Sequence, residues 1–102
     1  MVHGVDPDIL SAMSSSPIRL TPRLCRAARA LLGWRQADLA ATSGVPEPTV
    51  NAFEAKPETG RMIAANARLL VTAFEAAGIE FIPENGGGAG LRMRKPAEDG
   101  QA

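Results

Sequence analysis

The chain has 102 residues, which allows one small domain with short appendages and excludes a two-domain enzyme. Hydrophobic residues make up 45% of it and aromatic residues only 4%, a composition that favours small packed helices. The formal net charge is zero, yet the segment from Arg19 to Lys95 holds all 11 basic residues and four fewer acidic ones, so it is mildly basic.

Cysteine, histidine and hydropathy narrow the class of protein further. Cys25 and His3 are the only residues of their types, so the sequence offers neither an intramolecular disulfide nor a set of Cys and His ligands for zinc. No run of 18 apolar residues occurs, and the first twenty residues lack the basic start and apolar stretch of a secretory signal. We therefore expect a cytoplasmic protein without a cofactor, a metal or a membrane partner.

Both ends of the chain are polar and lack a sustained apolar period. Residues 1–18 contain three consecutive serines and two prolines, which predicts a disordered tail with at most one turn around residues 9–13. Residues 96–102 predict a second disordered tail. Between them, residues 19–78 predict a helical domain and residues 79–95 a β-hairpin extension.

The first helix signal is the pair Thr21 and Pro22, where a hydroxyl can cap a helix and proline suits its first turn, and Gly33 predicts its end. The pattern assigns several apolar side chains to its inner face: Leu24, Ala27, Ala28, Leu31 and Leu32. It assigns three arginines to a solvated outer face: Arg23, Arg26 and Arg29. Cys25 is interpreted as a small buried side chain, and Trp34 as part of the core.

Three more helices are predicted, over Gln36–Thr42, over Glu47 to about Ala55, and over Arg61–Ala77. The last has its inward positions at helical spacing: Ile63, Ala67, Leu70, Phe74 and Ala77. Two alternating segments follow, Ile79–Ile82 and Leu91–Arg94, and a glycine-rich turn between them predicts a hairpin. Its apolar face would hold Ile79, Phe81, Leu91 and Met93, and its other face Glu80, Arg92 and Arg94. Because a two-stranded sheet is marginal alone, we expect this hairpin to contribute to a dimer interface.

The segment from Gln36 to Ala55 carries the main functional signal. Its spacing fits a helix-turn-helix unit at six positions: Leu39, Ala40, Gly44, Val45, Val50 and Phe53. Ala40 provides a small side chain where the two helices cross, and Gly44 makes the turn between them. The other four positions form the shared core.

Together with residues 25–34 before it and 78–88 after it, this segment resembles the short bacterial XRE or Cro-like phage-repressor family, over about residues 20–95. The resemblance implies a mainly α fold, a four- to five-helix repressor-like bundle with a C-terminal β-hairpin. It further implies sequence-specific binding of double-stranded DNA, usually as a homodimer on a two-fold-related site, by a transcriptional repressor or autoregulator.

The family's DNA-contacting positions map onto two stretches of this sequence. Gln36, at the start of the second helix, resembles a glutamine that reaches the DNA backbone. The positions that face the major groove are Glu47, Pro48 and Ala52, and Thr49 and Asn51 flank them. Three basic residues could anchor phosphates: Arg35, Lys56 and Arg61.

Two departures from the family leave other functions open. Arg35 and Pro46 stand where a capping oxygen is usual before the second and third helices. The third helix holds Glu47 and Glu54 and no basic residue, although Glu54 is interpreted as the structural partner of a nearby arginine. An antitoxin-like module with a toxin-like protein partner, or a protein-interaction adaptor on the same scaffold, therefore remains an alternative. No nucleophile–base pair or paired carboxylates indicate an enzyme.

Overall fold

A computed structural model describes residues 18–95. This part of the chain is mainly helical, as predicted, with four helices followed by an antiparallel hairpin. The helices are α1 (Pro22–Leu32), α2 (Gln36–Ser43), α3 (Glu47–Glu54) and α4 (Ala64–Ala76), and the strands are β1 (Ile79–Ile82) and β2 (Gly90–Met93). The predicted tails and the turn at residues 9–13 lie outside the described residues, apart from Ile18. Within the described range, no helix has the length and apolar character needed to cross a membrane.

The predicted ends of α1 are confirmed by its caps. The Thr21 hydroxyl accepts a hydrogen bond from the backbone N–H of Leu24 at 3.0 Å, and Pro22 occupies the first turn. Gly33 has a φ of 71°, in the left-handed region that favours glycine, and its N–H donates to the carbonyl of Ala30. Local sequence therefore fixes both ends of this helix.

Helices α2 and α3 are separate elements joined by three residues. Gly44 has a φ of 86° and donates its N–H to the carbonyl of Ala40, which ends α2 one residue later than predicted. Val45 then enters the core at 1% exposure. At the start of α2, the carboxylate of Asp38 accepts a hydrogen bond from the N–H of Arg35 at 2.8 Å, which fixes the entry to the helix although Arg35 has no capping oxygen.

The core lies between all four helices and β1, and most of its buried side chains are small or medium in size, as the composition predicts. Phe74 connects its parts, because its ring stacks on Trp34 with centroids 6.0 Å apart and meets Phe81 edge-on. Trp34 is thus confirmed as part of the core. The fully or nearly buried residues are Leu20, Cys25, Ala28, Leu39, Val45, Val50, Phe53, Leu70, Ala73, Phe74 and Ile79.

Three residues assigned to the core are exposed instead. Ala27 and Leu31 lie on the solvent side of α1, because the buried stripe of this helix is narrow and runs through Pro22, Cys25 and Ala28. Ile63 is 66% exposed. It has extended backbone before the first turn of α4, which begins at Ala64 and not at Arg61. The apolar spacing continues on the N-terminal side of the helix, so the predicted start at Arg61 was wrong.

The hairpin has the predicted faces, although β2 lies one residue earlier than predicted and Met93, assigned to the apolar face, is 44% exposed. Ile79 pairs with Met93 and Phe81 with Leu91, while Glu80 and Arg92 face each other with 3.2 Å between their charged atoms. The apolar face packs on the helices of the same chain, with β2 against α1 and β1 against α4. The hairpin therefore completes the core that the helices leave open.

Candidate functional site

Helix α3 has one face in the core and one in solvent. Val50 and Phe53 are buried at 0% and 1% exposure and hold the helix in place. The three predicted groove-facing residues, Glu47, Pro48 and Ala52, lie on the opposite side and are exposed, as is Asn51, which was predicted to flank them. Thr49 is half-buried beside them. The exposed face of α3 is thus a short surface of amide, carboxylate and apolar groups.

The start of α2 lies next to this surface. Arg35 is exposed, with its guanidinium 3.2 Å from the carboxylate of Asp38. Hydrogen bonding to Asp38 raises the pKa of Arg35, and the charge of Asp38 raises it further. Gln36 is half-buried and its side-chain amide donates to Glu54 at 3.0 Å.

Glu54 is the buried ion-pair residue that joins α3 to α1. It is 5% exposed, and both of its oxygens accept hydrogen bonds from Arg29, at 2.8 Å from Nε and 2.7 Å from Nη2. The interpretation of Glu54 as a structural partner of an arginine is confirmed. The placement of Arg29 on a solvated face is wrong, because its guanidinium turns inward to this carboxylate and also donates to the carbonyl of Trp34.

Two further donors complete the surroundings of Glu54. Besides Gln36, the thiol of Cys25 donates to Oε2 at 3.1 Å. Burial raises the pKa of Cys25, and the hydrogen bond to Glu54 and its negative charge raise it further, so the thiol stays protonated. Burial also acts to raise the pKa of Glu54, but the donors Arg29, Gln36 and Cys25 outweigh it and hold that pKa below its ordinary value. One carboxylate therefore ties α1, α2 and α3 together.

The loop after α3 brings two more predicted residues to the edge of the site. Lys56 and Arg61 are exposed, and the ammonium of Lys56 donates to the carbonyl of Arg61. Among the described residues, neither forms an ion pair. The loop is attached to the start of α1, where the carboxylate of Glu58 accepts from the N–H of Arg23 at 3.1 Å.

Arg26 lies at the edge of the site, although the sequence pattern assigned it only to the solvated outer face of α1. Its guanidinium donates to the backbone carbonyl of Glu54 at the end of α3. Its partner lies 28 residues further along the chain and is a main-chain group, so no side-chain pattern could have predicted the contact.

No family model matches this sequence, and no curated protein matches it either. Within residues 18–95, no group of three Cys, His, Asp or Glu side chains could hold a metal ion. The case for a function therefore depends on the two helices, their exposed groups and the distribution of charge around them.

The buried carboxylate makes stability depend on pH. The pKa of Glu54 is lower in the folded chain than its ordinary value of 4.5, so the folded chain binds this proton more weakly than the unfolded chain does. The stabilisation from Glu54 is complete above about pH 4.5 and is lost as the pH falls through the lower, folded pKa. We expect the urea midpoint to fall between pH 6 and pH 3 more steeply in the wild type than in Glu54→Gln. Parallel curves for the two proteins would contradict this.

Proposed function

We propose that the chain binds double-stranded DNA in a sequence-specific manner and regulates transcription, as a repressor or autoregulator that acts by occupying its site. In this proposal α2, the turn at Gly44 and α3 form a helix-turn-helix unit, and α3 enters the major groove. The observation that carries it is that α3 has two different faces. Val50, Phe53 and Glu54 hold one face against the rest of the chain, while the outer face is exposed to solvent along the helix.

The groups on that face suit the edges of base pairs. The amide of Asn51 can donate and accept at once, and the carboxylate of Glu47 can accept from a cytosine amino group. Pro48 and Ala52 are small and apolar, and either could touch a thymine methyl group. Good contacts of this kind contribute about 1 to 3 kcal/mol each to discrimination between bases.

Phosphate contacts would come from residues around α3. Lys56 and Arg61 have no carboxylate partner among the described residues, and Arg35 lies at the start of α2. A protein that neutralises phosphates with such groups releases counterions, so its affinity falls as salt rises. A homodimer on a two-fold-related site would double both the basic contacts and the base contacts. Such a protein would act in the cytoplasm, where it meets DNA.

Selection of bound duplexes from a random pool tests the proposal directly. We expect an enriched motif with two-fold symmetry, and an affinity for that duplex that decreases when salt is raised from 50 to 200 mM, the range over which phosphate contacts are sensitive. If no sequence is enriched and no duplex binds at low salt, the proposal is wrong.

Two single substitutions test the docking face. Gln36→Ala and Thr49→Ala should each weaken binding to the selected duplex by about tenfold, the loss expected for one contact of roughly 1.4 kcal/mol. Fluorescence anisotropy measures this, with thermal unfolding of each variant as the control for folding. If both variants bind like the wild type, α3 does not face the DNA as proposed.

A protein-interaction adaptor, or an antitoxin-like module with a protein partner, is the second candidate. The observation in its favour is the outer face of α3, which carries the carboxylate of Glu47 and no basic residue, together with the pairing of Arg35 with Asp38. Such a module would bind a protein partner at this face with no enrichment of any DNA sequence. The selection experiment separates the two candidates.

A further inference from the structure

The outer face of α4 is a surface that the fold leaves uncovered. Leu70, Ala73 and Phe74 hold the inner side of the helix in the core. The opposite side forms a continuous exposed stripe, which we call the α4 face: Ala65, Arg68, Leu69, Thr72, Glu75 and Ala76. Leu69, near its middle, is 45% exposed.

Arg68 and Glu75 form the charged edge of the α4 face, and neither side chain makes a hydrogen bond or ion pair with the described residues. They are seven positions apart, which places them on the same edge of the helix, two turns from each other. At 1.5 Å per residue this is about 10.5 Å along the helix, too far for them to pair with each other. In contrast, Arg29, Arg35 and Arg92 are all paired within the chain.

We propose that the α4 face binds the α4 face of a second copy of this chain, with the two helices antiparallel about a two-fold axis. In heptad terms, Ala65, Leu69, Thr72 and Ala76 occupy the d, a, d and a positions, and the two charges occupy consecutive g positions. Antiparallel pairing then places Leu69 of one copy against Thr72 of the other and Ala65 against Ala76. The same register sets Arg68 of each copy opposite Glu75 of the other.

The order of the charges along α4 favours a second copy of the chain as the partner of the α4 face. Under a two-fold axis both copies present the same helix, so that helix must carry both residue types of the ion pair. Arg68 and Glu75 then form two such pairs, each joining one copy to the other. The alanines and Thr72 allow the helix axes to approach closely, which brings the charged edges together.

The hairpin is a weaker alternative for the dimer interface. Its apolar face packs on α1 and α4 of its own chain, and its opposite face pairs Glu80 with Arg92 internally.

The α4 face is small, so the dimer should be weak. Stable interfaces bury about 800 Å² per partner, more than one short helix face provides, and we expect a dissociation constant above about 1 µM without DNA. The proposal supplies the interface for the homodimer in the proposed function. Because it is tested without DNA, its failure is distinguishable from failure of DNA binding.

A charge exchange provides the decisive test, with the full chain in sedimentation equilibrium at low salt. Arg68→Glu and Glu75→Arg each turn two attractive pairs into two repulsive ones, and each should weaken association by about tenfold. The double variant Arg68→Glu/Glu75→Arg restores the pairs in reverse and should return to within about threefold of the wild type. A double variant as weak as the single variants overturns the proposal, as does a wild type that stays monomeric at every concentration.

A matched pair of apolar variants locates the interface independently. Leu69→Glu should remove the dimer, whereas Ile63→Glu, at a more exposed residue outside the α4 face, should leave the dissociation constant unchanged. Thermal unfolding at low protein concentration shows that both variants fold. Loss of the dimer in Ile63→Glu, or its persistence in Leu69→Glu, would place the contact elsewhere and overturn the proposal.

Discussion

Replacing Glu54 with alanine should lower the free energy of unfolding by about 3 kcal/mol, the lower end of the cost of breaking a buried ion pair from one side. The side chain of Glu54 is 3% exposed and that of Arg29 is 20% exposed, so the guanidinium left behind would be poorly hydrated. Gln36 and Cys25 would lose their acceptor as well. A domain of this size has a total stability of only roughly 5 to 10 kcal/mol, so this change removes a large part of it.

Urea and thermal denaturation followed by circular dichroism measure this effect. A loss of 3 kcal/mol corresponds to a fall in Tm of about 12 to 24 °C for a domain of this length. Glu58→Ala is the matched control, because that carboxylate has 39% side-chain exposure and pairs with Arg23 at 3.8 Å, and it should cost less than about 1 kcal/mol. Replacement of both partners, Arg29→Met with Glu54→Leu, should recover part of the loss, because no charge is left unpaired although Gln36 and Cys25 still lack their acceptor. A Glu54→Ala variant as stable as the control would contradict the argument.

The sequence predicted helix ends well where a single residue has a strong local conformational or capping preference. Thr21 and Pro22 start α1, and Gly33 and Gly44 end α1 and α2, because their backbone and side-chain preferences act within a few residues. Alternation on both strands gave the two faces of the hairpin, whereas its register, with Phe81 opposite Leu91, also depends on the turn. The start of α4 had no such signal, and apolar spacing alone extended it to Arg61.

The network around Glu54 could not be predicted in detail, because it depends on how the helices pack. Arg23, Arg26 and Arg29 look equivalent in the sequence of α1, and only the position of α3 selects Arg29 as the partner of Glu54, 25 residues away. The contact of Gln36 with the same carboxylate spans 18 residues. Gln36 was predicted to face DNA, and the contact of its amide with Glu54 was not predicted.

The substitution Ala52→Glu should reduce affinity for the selected duplex by at least about 100-fold, which corresponds to roughly 2.7 kcal/mol. Ala52 lies on the exposed face of α3 and belongs to none of the buried contacts that hold the helix. In the proposed complex, a glutamate there would occupy the space of a base edge and bring negative charge close to phosphates. Stability should change by less than about 0.5 kcal/mol, because the site is exposed and helical.

Ala27→Glu controls for the change in net charge, since Ala27 is an exposed helical alanine on α1, away from the α3 face. It should bind DNA within about threefold of the wild type, because a single distant surface charge acts weakly through salt. The ratio of the dissociation constants of the two variants separates the effect of where the negative charge lies from the effect of adding a negative charge anywhere on the surface. If both variants lose affinity equally, the protein binds DNA through its overall charge and not through α3. If neither does, the outer face of α3 has a different partner, and the adaptor function becomes the better account of this surface.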